Sequence, residues 1–233
     1  MIKSVNNYPI SQLFDIESNV VYAIPRYQRE YTWSKSHWEN LFDDVLRNDS
    51  GYFLGSIICI NQSTDALAVQ QLEVVDGQQR LTTLSLLFAA VYDALKNRRE
   101  DLDDDQQVEL INMKRKLVLK NIIDQIRVSP QVQNSNQNDY RAVLSEIGVI
   151  SSYAQPLYAG NRKIFRAFRY FQERLNKLTE NKDDAIAVTM NFLDKVSRAS
   201  LVKIEVASHA DAYILFESLN NRGMPLTLSL IHI

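Results

Sequence analysis

The chain has 233 residues, 45% of them hydrophobic and 23% charged, which suits one large globular domain or two small ones. A formal net charge of −2 excludes a global basic field, so any nucleic-acid contact must be a local patch. A single cysteine excludes an internal disulfide, and with three histidines beside it no zinc-type ligand set is visible, while only 6 glycines and 5 prolines favour long helices over a turn-rich all-β fold.

The first residues, MIKSVNNYPI, lack the character of a signal peptide, and no apolar run reaches the ~18 residues of a membrane span. The expected location is therefore the cytoplasm, without a membrane partner. A short helical pattern over Ile10 to Asp15 leads to a strand, Val20 to Ile24, ended by Pro25. Pro25 to Trp33, PRYQREYTW, has no helical or strand period and reads as an ordered loop. Its arginines and the aromatics Tyr27, Tyr31 and Trp33 suit a binding surface through stacking and cation–π contacts, and a DNA contact is one use. Covering the edge of the core explains the aromatics equally well. Ser34 or Ser36 caps a helix through Trp38, Leu41, Phe42, Val45 and Leu46, followed by a turn at Asn48 to Gly51. Tyr52 to Ile60 reads as a buried strand in which Cys59 is an inert thiol.

A polar connection, Asn61 to Gln71, leads into LEVVDGQQRLTTLSLLFAAVYDAL, Leu72 to Leu95. The spacing predicts a short strand over Leu72 to Val75, a sharp turn at Asp76-Gly77 and an amphipathic helix with Leu81, Leu84, Phe88, Val91 and Leu95 on its buried face. The first turn of such a helix offers free N–H groups backed by a partial positive charge, a ready place for a phosphate. Arg80 adds a planar, fully charged fork. A capping box between Asp76 and Gln79 accounts for the same residues without a ligand, and spacing alone favours it. The two strands before the helix suit a wide hairpin, though their pairing cannot be read from the residues.

Asn97 to Gln107 carries Asp101, Asp103, Asp104 and Asp105 and reads as a solvated linker or helix start, marking an internal boundary. Val108 to Ile126 is helical or mixed, Ser129 to Asp139 a surface loop, and Asp139 the cap of a short helix, Tyr140 to Ile147. Asn161 to Leu178 is a strong amphipathic helix. Its polar face holds Arg162, Arg166 and Arg169, the densest basic patch and a second place for a DNA backbone beside its plainer role as a solvated face. Asp183 or Asp184 opens a helix to about Ala199, Leu201 to Val206 is a strand, and Ser208 with Asp211 starts a last helix, Ala210 to Leu219. It stops at Asn220 to Pro225, where Gly223 suits a left-handed cap.

Three segments taken together, Ile24 to Trp33, Val75 to Thr83 and Phe216 to Thr227, resemble the N-terminal domain of the GmrSD type, with its DGQQR motif, over nearly all of residues 8–227. The resemblance implies an α+β fold with a small ParB/sulfiredoxin-like mixed-sheet core and a large helical part. On this reading residues 1–95 form the core, 96–199 the helical part, 200–227 a returning strand and helix, and 228–233 a non-native tail on a truncated gene. A lost C-terminal half would leave an apolar surface inviting a homodimer. The resemblance also implies binding and hydrolysis of an NTP, GTP or another, with Mg2+, in a bacterial anti-phage system that restricts modified DNA. The nuclease work would belong to a C-terminal His-Asn-His domain that this chain does not show. Catalysis would fall to Asp76, Gln79 and Arg80, with Asp76 also on the metal. Gln28, Arg29, Gly77, Gln78, Thr82, Asn220, Asn221, Arg222 and Gly223 would hold the nucleotide. A binding module without turnover and an inactive fragment are the alternatives.

Overall fold

Alternation of side chains along the strands decides how the layers stack. The computed structural model describes residues 1–63, 69–132 and 135–221. Among them the strands are β1 (Ile2–Pro9), β2 (Val20–Ala23), β3 (Phe53–Asn61), β4 (Gln70–Asp76), β5 (Val128–Ser129) and β6 (Ser200–Val206), in one mixed sheet of order β1-β6-β3-β4-β2-β5. β3 and β4 pair antiparallel, so the wide hairpin exists, while β3 runs parallel to β6 and β2 parallel to β4. With period 2, Ile57 and Cys59 of β3 and Leu72 and Val74 of β4 point to one face and join the main core. Ile58, Ile60, Val202, Ile204 and Val206 point to the other and form a smaller cluster.

The helices α1 (Ile10–Leu13), α2 (Lys35–Arg47), α3 (Gln78–Lys96), α4 (Asp104–Leu117), α5 (Asn136–Glu146), α6 (Lys163–Thr179) and α7 (Ala185–Arg198) accompany the main core. α8 (His209–Asn221) covers the opposite face, setting Ala212, Leu215 and Leu219 on the smaller cluster. The fold is α+β, as expected. The main core runs without a break across position 96, joining Val74 and Phe88 to Phe168, Phe171 and Phe192. No helix among the described residues is long and apolar enough to cross a membrane.

Several expectations change. The first nine residues carry no strand pattern, yet Ile2–Pro9 pairs antiparallel with β6. An edge strand is held by its backbone and does not need an apolar face on each side. The helix after the DGQQR turn is buried beyond the single stripe of an amphipathic helix. Leu86, Leu87, Ala89 and Ala90 are buried along with Leu81, Leu84, Phe88, Val91 and Leu95, because the core closes round α3 with α4, α6 and α7 packed against it. Asp139 does not cap α5. The helix starts at Asn136, and Asp139 sits buried in its first turn, 2.7 Å from Arg162 Nε. The acidic run does start a helix, with Asp103 and Gln106 forming the capping box of α4.

Candidate functional site

The turn between β4 and α3 takes its form from one glycine. Gly77 has φ 87°, and a β-carbon there would sit 2.6 Å from Ile57 Cγ2 and 3.0 Å from the Ser56 carbonyl oxygen. Only a residue without a side chain reaches that conformation against β3 at no cost. Gly77 is itself the N-cap, in the left-handed region, with no side-chain cap bond. The Asp76–Gln79 capping box is therefore absent. The first helical bond runs from Leu81 N–H to the Gly77 carbonyl, which leaves the amides of Gln78, Gln79 and Arg80 without helical acceptors.

Gln79 fastens the loop before α2 to the helix. Its Oε1 accepts from Thr32 N–H at 2.8 Å and Trp33 N–H at 3.3 Å, and its Nε2 donates to the Glu30 carbonyl at 2.8 Å. Replacing it by leucine strips three backbone groups of their partners. We expect Gln79→Leu to cost about 2 kcal/mol, the usual scale for orphaned buried polar groups. Thermal unfolding would show the loss, and trypsin would cut faster at the exposed Arg26 and Arg29.

Gln28 Nε2 donates to the Val75 carbonyl at 2.6 Å, and its Oε1 accepts from Gln78 Nε2 at 3.1 Å. Tyr31 belongs to the core at 3% exposure. Its hydroxyl takes the Trp38 indole N–H at 2.8 Å and meets Thr83 Oγ1 at 2.7 Å. Trp33 stacks on His37, and Thr82 is buried behind the turn. Tyr27 is exposed and hydrogen-bonds Glu73 at 2.6 Å.

Arg80 lies along Gly55, and its Nη1 donates to the Ser56 carbonyl at 2.7 Å. Burial draws its pKa down, and the Asp76 charge opposes that shift. The side chains of Arg29 and Asp76 make no hydrogen bond or ion pair among the described residues, and both line the same space. A hollow of about 120 Å³ is lined by Arg29, Trp33, Asp76, Gly77, Gln78, Gln79 and Arg80. Beside it a larger cleft of about 680 Å³ shares Arg29, Asp76 and Gln78 and adds Tyr27, Gln28, Val75, His209, Tyr213 and Phe216. The loop, the turn and α8 thus meet at one place, the third segment through Phe216. Asn220 and Asn221 end α8, and Arg222, Gly223 and residues 228–233 lie outside the described residues.

Glu73, His209 and Tyr213 are residues that motif reasoning does not single out. Glu73 and Val75 share the α8 face of β4 by alternation, so a polar residue there must find a partner on α8. Glu73 Oε1 takes Tyr27 O–H and lies 2.7 Å from His209 Nε2, and Oε2 takes Gln62 Nε2 at 2.6 Å. Burial pushes the Glu73 carboxyl up, but these hydrogen bonds, together with the charge His209 carries when it is protonated, outweigh it and hold the pKa below the usual range. Burial, with the same bond to Glu73, raises the Tyr27 phenol. A carboxylate with a lowered folded-state pKa adds stability in full above its unfolded value. That share is lost as pH falls through the folded value. In urea titrations from pH 6 to pH 3, the stability difference between the wild type and Glu73→Gln should therefore shrink as pH falls. A constant difference would remove the ionised Glu73 from the account.

The basic helix face is elsewhere and partly spent. Arg162 pairs with Asp139, and Arg169 with Glu146. Arg166 and Arg169 line a separate hollow of about 460 Å³ with Lys35, Trp38 and Tyr170.

No group of three or more His, Cys, Asp or Glu side chains suited to a metal occurs among the described residues. A magnesium ion that travels with a nucleotide needs only one or two protein carboxylates, because phosphate oxygens and waters complete its shell. Asp76, whose carboxylate makes no side-chain hydrogen bond or ion pair among the described residues and lines the hollow, fits that requirement. Residues 10–229 match the family model described as GmrSD restriction endonuclease, N-terminal domain. No curated protein matches the sequence.

Proposed function

Since the chain belongs to the GmrSD restriction endonuclease N-terminal domain family, we propose that it is the nucleotide-binding, NTP-hydrolysing regulatory part of a phage-defence restriction system. Modified DNA and a nuclease domain are the partners this reading supplies. The supporting observation is the pair of joined hollows. The smaller, at the amino end of α3, suits phosphates, and the larger, walled by Tyr27, Tyr213 and Phe216, suits a nucleoside.

Arg29 binds phosphate oxygens through its free fork. The amides of Gln78, Gln79 and Arg80 point at the same anion, and the fixed Arg80 charge offsets negative charge that develops on the transferred phosphoryl group. Asp76 orients the attacking water and takes its proton. The water oxygen bonds to the terminal phosphorus, and the bond from phosphorus to the bridging oxygen breaks, which releases a nucleoside diphosphate and phosphate. Gln79 acts as a positioning residue that keeps the Arg29 loop in place. A magnesium ion held by Asp76 and the phosphates would supply further charge neutralisation.

The test is phosphate release from GTP, ATP, CTP and UTP with magnesium, run beside nucleotide-dependent thermal stabilisation. Turnover of at least one NTP supports the reading. Stabilisation without release would leave a binding module, and neither effect would leave no nucleotide function at this site.

A further inference from the structure

His209, bonded to Glu73, lines the larger cleft and not the phosphate-sized hollow. Glu73 precedes Asp76 by three residues along β4, and three residues of strand span about 10 Å. That is the separation expected between the phosphate end of a nucleotide and its nucleoside end. The surroundings agree: Tyr27, Tyr213 and Phe216 line the cleft with His209, and all three present flat apolar surface. His209 is half exposed, at 58% of its side chain, while its partner carboxylate is at 15%. The Tyr27 ring meets the imidazole edge to face, with centroids 6.0 Å apart.

The hydrogen-bond inventory decides the orientation of the imidazole. An ionised carboxylate only accepts, and Glu73 Oε1 already takes the Tyr27 proton. The contact of 2.7 Å to His209 Nε2 therefore needs the proton on Nε2. In the neutral ring that makes Nδ1 an acceptor. Nδ1 has no partner among the described residues. A fixed acceptor on the wall of an aromatic cleft calls for a donor on the ligand.

We propose that His209 is the nucleoside-reading residue of this cleft, its Nδ1 accepting a hydrogen bond from an O–H or N–H group of the ligand's ribose or base. Glu73 and Tyr27 are positioning residues that hold the ring in the required tautomer and plane. This deepens the nucleotide reading and rests on it. A site built around a hydrogen bond discriminates strongly against ligands that lack the donor, because the acceptor is then left unpaired.

Calorimetric titration of the full chain with magnesium tests the proposal. The probes are ATP, GTP, CTP and UTP, their 2′-deoxy forms, inosine triphosphate and inorganic tripolyphosphate. His209→Phe keeps a ring of similar size and removes the acceptor. The expected result is roughly tenfold weaker binding of the preferred nucleoside triphosphate, the scale of one lost hydrogen bond, with tripolyphosphate binding unchanged. Tripolyphosphate reports the phosphate end alone and shows that the variant is folded. If the 2′-deoxy form binds the wild type as weakly as the ribonucleotide binds His209→Phe, the donor is the ribose hydroxyl. If inosine triphosphate shows that loss against GTP, the donor is the exocyclic amine. Equal nucleotide affinity in the wild type and His209→Phe overturns this inference alone, as does a parallel loss of tripolyphosphate. A wild-type chain that binds no nucleoside triphosphate overturns the inference and the nucleotide reading together.

Discussion

Asp76→Ala is expected to lower phosphate release by 10²- to 10⁴-fold, the usual range for removing a general base, while nucleotide binding changes far less. Arg29→Ala is expected to show the converse, an affinity 10- to 100-fold weaker from the loss of a charge-assisted contact. The reason for the split is geometric. Both side chains face the phosphate-sized hollow, and neither has a hydrogen-bond or ion-pair partner among the described residues. Removing either should therefore leave the fold intact, unlike Gln79, whose amide holds the loop. Phosphate release under saturating NTP reads the Asp76 effect, and titration calorimetry reads the Arg29 effect. Equal turnover in wild type and Asp76→Ala would take Asp76 out of the chemistry.

Gly77→Val is expected to lower stability by about 4 kcal/mol, from a left-handed conformation forced on a β-branched residue and from overpacking against β3. In a chain of this size that corresponds to a melting temperature roughly 10 °C lower. Ile57 Cγ2 at 2.6 Å and the Ser56 carbonyl at 3.0 Å leave no direction in which a new side chain can move, since one neighbour is core and the other backbone. Gly51 supplies the control. It also has a positive φ, of 93°, but open space around it, so Gly51→Ala should cost only about 1 kcal/mol. Similar losses at the two positions would mean that close approach to β3 is not what makes Gly77 necessary.

Much of the scaffold is visible in the residues because it follows local rules. Strand Val20–Ala23, helix Lys35–Arg47 behind Ser34, helix Ala185–Arg198 behind Asp184, and strand Ser200–Val206 all fall where periodicity and capping place them. β1 is hidden because its stability comes from pairing with a strand almost two hundred residues away, and its own side chains carry no pattern. α3 reads as an amphipathic helix with one buried face because a stripe is evident in Leu81, Leu84, Phe88, Val91 and Leu95. That Leu86, Leu87 and Ala90 are also covered depends on helices contributed from later in the chain.

The site divides in the same way. The DGQQR turn and the loop bearing Gln28 and Arg29 can be found as motifs, and they do meet in space. The division of labour within the motif cannot be found there. Gln78 and Gln79 look equivalent as letters, yet one bonds Gln28 and the other secures backbone at Glu30, Thr32 and Trp33. Glu73 and His209 become partners only because β4 alternation and the docking of α8 bring the same sheet face to both. Tyr31 sits among binding-type residues in the sequence, but its ring is enclosed by the Trp38 and Thr83 contacts.

A crystal structure of the chain with magnesium and a non-hydrolysable analogue of the NTP it binds best tests the central claim most directly. The account predicts the terminal phosphate in the hollow at the amino end of α3, within hydrogen-bond distance of Arg29, with the nucleoside between Tyr27 and the α8 aromatics. A nucleotide bound elsewhere, or one whose phosphates point away from Gly77 to Arg80, would contradict it.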